Sequence, residues 1–98
     1  MKAIHVRVEE YHIKCGFANS GTLCPVALAL TPRLPAGQSA IVGRGFFSVW
    51  QGSISEQGAL LLGTYDLPDE VTRFVRKFDS GEKVEPIEFD VTPDMETL

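Results

Sequence analysis

Apolar and polar residues alternate near both ends of the chain, a pattern typical of half-buried β-strands. Residues 2–8 (KAIHVRV) and residues 87–91 (IEFDV) place apolar side chains at every second position. Charged residues fill the alternate positions of the second segment, and Pro86 stands just before it. These features favour an edge strand. The pattern therefore predicts one strand near each end of the chain.

The middle of the chain contains further strand-like segments. Residues 39–44 (SAIVGR) and 45–51 (GFFSVWQ) read as two strands, with glycines that allow a tight turn between them. Residues 59–65 (ALLLGTY) form a nearly continuous apolar run, which predicts a central position in the sheet. The pattern leaves open whether the whole stretch forms two strands or three.

A short apolar helix is predicted over residues 23–30 (LCPVALAL), with Thr22 as its N-cap and Pro25 in its opening turn. Pro32 and the residues after it prevent the helix from continuing. A helix of about two turns is marginal in water, so tertiary packing must hold it in place. Residues 9–14 have no clear period and fit either a helical turn or a continuation of the first strand.

A longer amphipathic helix is predicted after Asp66, which can cap it. Gly81 can end it in the left-handed conformation. Four apolar residues recur at the i, i+3, i+4 and i+7 spacing of one helix face: Val71, Phe74, Val75 and Phe78. The cationic residues of the segment fall outside this stripe, so we expect the apolar face to pack on the sheet.

These elements predict a single α+β domain over residues 1–98. We expect a largely antiparallel sheet of four to five strands, with one short and one longer helix on one face. About residues 92–98 are expected to form a loose C-terminal tail. A hydrophobic fraction of 44% with 22% charged residues is ordinary for a globular protein.

The net charge of −4 is unevenly distributed, since residues 79–98 contain seven acidic residues and one basic residue. This acidic end disfavours direct nucleic-acid binding and would suit a basic partner surface. The apolar runs are too short to cross a bilayer, and the first residues lack the pattern of a secretion leader. We therefore expect a cytoplasmic protein with no membrane association.

The only candidate metal site in the sequence consists of its histidines and cysteines: His5, His12, Cys15 and Cys24. Zinc sites use two closely spaced pairs of such residues; His12 and Cys15 form one such pair, but Cys24 and His5 are scattered. We therefore predict no metal and no cofactor. A small metal- or ligand-binding domain built on these four residues remains the alternative function.

Catalytic groups are not apparent in the sequence. Cys24 near a helix start would gain reactivity from the helix dipole, but its apolar neighbours favour a packed thiol. Glu88 and Asp90 share a strand face without a neighbour in sequence that would separate their pKa values, as acid–base catalysis requires. We predict that the protein is not an enzyme.

Two surfaces are candidates for binding a protein partner. Phe46, Phe47 and Trp50 place aromatic rings on both faces of one strand, and Arg44 can frame the rim of such a contact. Unless a helix and a loop cover both faces, one ring is exposed. The acidic residues of the second candidate surface are Glu85, Glu88 and Asp90.

Two segments resemble those of small uncharacterised proteins encoded by bacteriophages and prophages. The first is the Cys24-Pro25 pair that opens the short helix. The second is an F-D-x-G-x-x-V-x-P-x-x-F pattern, here Phe78, Asp79, Gly81, Val84, Pro86 and Phe89. Such proteins often carry a second cysteine three residues before the Cys-Pro pair, where this chain has Gly21, and this departure weakens a metal site.

The resemblance implies an accessory protein that binds a host protein stoichiometrically in the host cytoplasm. Inhibitors of host defence, such as anti-CRISPR-type proteins, belong to this class. The resemblance implies no catalytic residues and no substrate, and it is compatible with a homodimer.

Overall fold

A computed structural model describes residues 3–52 and 58–92. The elements in chain order are β1 (Ile4–Val8), α1 (Glu10–Cys15), α2 (Pro25–Leu30), a single 3₁₀ turn (Thr31–Arg33), β2 (Gln38–Val42), β3 (Phe46–Gln51), β4 (Leu60–Asp66), α3 (Asp69–Asp79) and β5 (Ile87–Val91). Apart from Thr92, the predicted C-terminal tail lies outside the described residues.

The described strands form two antiparallel sheets, one with the order β1-β5 and the other with the order β2-β3-β4. The predicted α+β class and its antiparallel strands are confirmed. The strands are divided between two sheets because the segments near the two chain ends pair with each other. Val6 lies opposite Phe89 in this pair, and His5 lies opposite Asp90.

The central strand of the larger sheet is β3, and β4 lies beside it on the outside. The prediction that the apolar run of β4 is central was therefore wrong. Val49 pairs with Gly63 and Trp50 pairs with Leu61, so Leu62 is an extra residue in a β-bulge. The bulge shifts the alternation of side chains between the two parts of β4, and Leu60 and Leu61, which precede it, are exposed.

Helix α2 packs against β1 of one sheet and β2 of the other. It begins one residue after its N-cap, Cys24, rather than after the predicted cap, Thr22. Five of its six residues are buried: Pro25, Val26, Ala27, Ala29 and Leu30. The inner faces of both sheets complete the core around it, with side chains that include Val6, Val8, Phe89, Val42, Phe47 and Val49.

Residues 9–14, which fitted either a helix or a strand, belong to α1 and its N-cap, Glu9. Gly16 ends this helix close to the start of α2. A Cβ atom at Gly16 would lie 2.8 Å from Cδ of Pro25 and 2.9 Å from the carbonyl oxygen of His12. The absence of a side chain therefore allows α1 to approach α2.

The apolar stripe of α3 faces the core as predicted. Val71, Phe74 and Val75 are buried, and Phe78 is half-buried. The N-cap is Pro68 rather than Asp66. Gly81 follows the helix with φ +81°, and its N–H group donates to the carbonyl oxygen of Phe78, which is the conformation that glycine favours after a helix end.

Truncation of Phe74 tests the buried face of α3. Because the ring is 6% exposed, Phe74→Ala should lower the free energy of unfolding by about 3–5 kcal/mol. Arg73→Ala, one residue earlier on the exposed face, should change it by less than about 0.5 kcal/mol. Urea denaturation of both variants gives these values. A loss below about 1 kcal/mol for Phe74→Ala would contradict the packing of this face.

Candidate functional site

The outer face of the β1-β5 sheet carries four charged or titratable side chains that contact one another across the strands. The Nδ1 atom of His5 lies 2.8 Å from Oδ1 of Asp90, and its Nε2 atom lies 3.0 Å from Oε2 of Glu88. Arg7 donates from Nη2 to Oε1 of Glu88 at 3.4 Å. Two carboxylates therefore face two basic side chains on this sheet face.

This pairing changes the interpretation of the acidic candidate surface. Glu85 is exposed just before β5, but Glu88 and Asp90 already have basic partners on β1. The surface is therefore a set of internal ion pairs rather than a uniformly acidic patch. Apolar and polar residues alternate in both the first and the last strand. When these strands pair, the alternation places His5 and Arg7 on the same sheet face as Glu88 and Asp90, and this was the feature of the sequence that could have predicted the ion pairs.

The two histidines differ in their surroundings. The hydrogen bonds to Asp90 and Glu88 raise the pKa of His5 above its usual value. His12 is buried in α1, and its Nδ1 atom accepts a 2.8 Å hydrogen bond from the backbone N–H of Glu9. Burial lowers the pKa of His12, so the ring favours the neutral form.

The outer face of the β2-β3-β4 sheet carries several large apolar side chains around a polar pair, Ser48 and Thr64. The register places Trp50 beside Leu61 and Ser39, and Ser48 beside Ile41 and Thr64. Four large side chains define what we call the apolar face: Ile41, Phe46, Trp50 and Leu61. Leu61 is 49% exposed and Phe46 is 41% exposed, while Ile41 and Trp50 are partly exposed.

Hydrogen bonds fix the orientation of Trp50 on the apolar face. Its Nε1–H group donates to Oγ of Ser48 at 2.9 Å. The Ser48 hydroxyl in turn lies 3.5 Å from the carbonyl oxygen of Ile41, to which it donates. These bonds satisfy the buried Ser48 hydroxyl and hold the indole against the strand.

Phe46 is positioned by a close approach to Gly43. A Cβ atom at Gly43 would lie only 2.4 Å from Cζ of the Phe46 ring. The ring therefore lies over the glycine at the turn between β2 and β3, and any larger residue at position 43 would displace it. Arg44 is exposed in the same turn and lines a cavity with Cys24 and Val75, so its place at the rim of a partner contact stays a prediction.

Phe47 does not belong to either candidate surface. It is fully buried on the inner face of β3, and its ring centroid lies 5.5 Å from that of Tyr65. The sequence-based assignment of Phe47 to the partner-binding set is therefore corrected, because successive residues of a strand point to opposite faces. Only Phe46 and Trp50 of the three aromatic candidates lie on the outer face.

The candidate metal ligands do not converge. Cys15 is exposed at the end of α1, and Cys24 is buried at the start of α2. No group of three or more His, Cys, Asp or Glu side chains in the described ranges is arranged to hold a metal ion. Burial raises the pKa of the Cys24 thiol, which opposes the formation of a nucleophilic thiolate.

His5 and His12 do line a common cavity of about 220 Å³. It lies between β1, α1 and the 3₁₀ turn, and neither cysteine contributes to its wall. The lining residues are His5, Arg7, Glu9, Tyr11, His12, Ala29, Pro32 and Arg33. Tyr11 was not singled out by the sequence, and nothing in the local pattern indicates that it shares a cavity with Arg33.

Comparison with models of protein families, with curated proteins and with solved structures finds no significant match to this chain. None of the helices in residues 3–52 and 58–92 has the length and hydrophobicity to span a membrane. The two outer sheet faces and the cavity beside β1 are therefore the guides to function.

The contrast between the histidines predicts their titration. By NMR, His5 should titrate above about pH 6.5, the ordinary value, and His12 should titrate below it. Asp90→Asn should lower the pKa of His5 more than Glu88→Gln does, because the bond to Asp90 is the larger cause. A His5 pKa below the ordinary value would contradict the two carboxylate contacts.

The raised pKa of His5 determines the direction in which pH changes the stability of the protein. A raised pKa in the folded state means that protonated His5 stabilises the protein. This contribution is fully present below about pH 6.5 and is lost as the pH rises through the raised pKa. The stability difference between the wild type and His5→Gln should therefore be smaller at high pH than at low pH.

Proposed function

We propose that this protein acts by stoichiometric binding to another protein through the apolar face of its three-stranded sheet. The observation that carries the proposal is the exposure of Phe46 and Leu61 on the outer side of that sheet, where Leu61 lies beside Trp50. Large apolar side chains that are exposed together on one sheet face are a feature of protein-binding surfaces. Aromatic residues are also enriched in protein interfaces.

The fixed orientation of the Trp50 side chain supports a role for it as an anchor in binding. A side chain that is already fixed loses little conformational entropy when a partner covers it. The bond from Trp50 to Ser48 provides this restraint on the central strand, where Trp50 lies between Ser39 on β2 and Leu61 on β4. Tryptophan is also prominent among the residues that contribute most to binding energy.

The charged face of the β1-β5 sheet is less suited to hold a partner. Glu88 and Asp90 would have to exchange their contacts with His5 and Arg7 for contacts with the partner's basic groups. Exposed ion pairs of this kind contribute little free energy. We assign these carboxylates, with Glu85, a role in the rate of association rather than in the strength of the complex.

We propose a host protein as the partner, with a bacteriophage or prophage as the source of this chain. The support for this step is the resemblance of the Cys-Pro helix and the F-D-x-G-x-x-V-x-P-x-x-F segment to small phage-encoded proteins. Binding that blocks a host defence protein in the cytoplasm, as anti-CRISPR-type proteins do, is the form of this function that we propose. It requires no catalytic group.

Two leucines on the same strand provide a matched test. Leu61 lies on the apolar face. Leu60 is more exposed than Leu61, but it pairs with Gln51, so its side chain points to the opposite face of the sheet. Tagged wild-type protein, Leu61→Lys and Leu60→Lys should be incubated with bacterial lysate, and the retained proteins compared by mass spectrometry. We expect a partner that is retained by the wild type and Leu60→Lys and is lost with Leu61→Lys.

Affinities for the purified partner then separate the two candidate surfaces. Trp50→Ala should weaken binding by about 2 kcal/mol or more, with little dependence on salt. Glu88→Lys combined with Asp90→Lys should mainly slow association, and this effect should fade at high ionic strength. Retention of the partner by Leu61→Lys together with its loss in the charge variant would contradict the proposed surface.

A further inference from the structure

The cavity beside β1 contains more hydrogen-bond donors than acceptors among its side chains. Its volume of about 220 Å³ is small for an organic cofactor. Three hydrogen-bond donors line this cavity, on Arg33, His12 and Tyr11. We propose that through them the cavity binds a small oxyanion, namely a phosphoryl or carboxylate group. The site is separate from the apolar face and does not depend on the protein-binding function.

The first donor is the imidazole of His12. Its Nδ1 atom accepts the backbone N–H of Glu9, so the proton of the neutral ring lies on Nε2. No buried side-chain nitrogen or oxygen in the described ranges lacks a hydrogen-bond partner. Since the Nε2 atom has no partner there, it must be accessible from outside, and the exposed part of this ring lines the cavity.

The second donor is the guanidinium group of Arg33 on the 3₁₀ turn. Arg33 takes part in none of the ion pairs of the described residues. Its five N–H groups are therefore available to a ligand, and their planar geometry suits carboxylate and phosphate oxygens. The side chain is exposed at the cavity wall, so a ligand reaches it without a change of the fold.

The third donor is the hydroxyl group of Tyr11. The Tyr11 ring packs against the His12 ring with centroids 4.0 Å apart. This contact restrains the phenol, which lines the cavity and is 60% exposed, so its hydroxyl is accessible to a ligand. Two neighbouring residues of α1 thus present donors to the same space as Arg33.

The charges around the cavity set the strength of the site. Glu88 and Asp90 are matched by His5 and Arg7, and the remaining pair of opposite charges is Arg33 and Glu9. The net field is therefore small, and recognition depends on directed hydrogen bonds. We expect a dissociation constant on the order of millimolar for a simple oxyanion.

Titration with inorganic phosphate, and separately with acetate, tests the site. Spectra of ¹⁵N-labelled protein at neutral pH and constant ionic strength should show saturable shifts at the His12 imidazole and at the 3₁₀ turn. Arg33→Gln should weaken phosphate binding by about tenfold, the value of one charge-assisted hydrogen bond. Arg73→Gln, an exposed arginine on α3, is the matched control and should leave the affinity unchanged.

The two probes distinguish the source of the oxyanion. Tighter binding of phosphate identifies a phosphoryl ligand, and tighter binding of acetate identifies a carboxylate; either result supports the site. The absence of saturable shifts with both probes at about 50 mM would overturn the proposal, since such a site would be far weaker than millimolar. An equal loss of affinity in Arg73→Gln and Arg33→Gln would also overturn it, because it would show diffuse attraction to surface cations.

Discussion

The packing of helix α2 between two separate sheets is the interaction on which the rest of the structure depends. A helix of six residues is too short to be stable alone. Its side chains are buried on nearly all sides because β1 approaches it from one sheet and β2 from the other. The same contacts that hold the helix also join the sheets, so neither sheet has a complete core without it.

This arrangement leaves each sheet with one outer face, and the two faces have different chemistry. The face of β1 and β5 carries charges that pair with one another, whereas the face of the larger sheet exposes Phe46 and Leu61 and carries a fixed Trp50. Internal pairing reduces what the charged face can offer to a partner. Covering the apolar face with another molecule removes apolar surface from water, which is favourable. This contrast between the two faces is why we propose the protein contact on the apolar face.

Local patterns were sufficient to predict the α+β class and the buried face of α3, because alternation and the i, i+3, i+4 spacing follow directly from backbone geometry. They failed where long-range pairing decides the outcome. The apolar run of β4 suggested a central strand, but a β-bulge opposite Val49 and Trp50 turns Leu61 outward. The cavity of Arg33, His12 and Tyr11 was also missed, because residues far apart in sequence meet there only after folding.

Native-state hydrogen exchange tests the central claim that α2 couples the two sheets. Val26 is fully buried in α2, and Val26→Ala should lower the free energy of opening by about 2 kcal/mol. If α2 joins the sheets into one cooperative unit, the protected amides of β1 and those of β3 should lose protection by the same amount. A loss confined to one sheet, with the other unchanged, would show that the sheets are stabilised independently and would contradict this account.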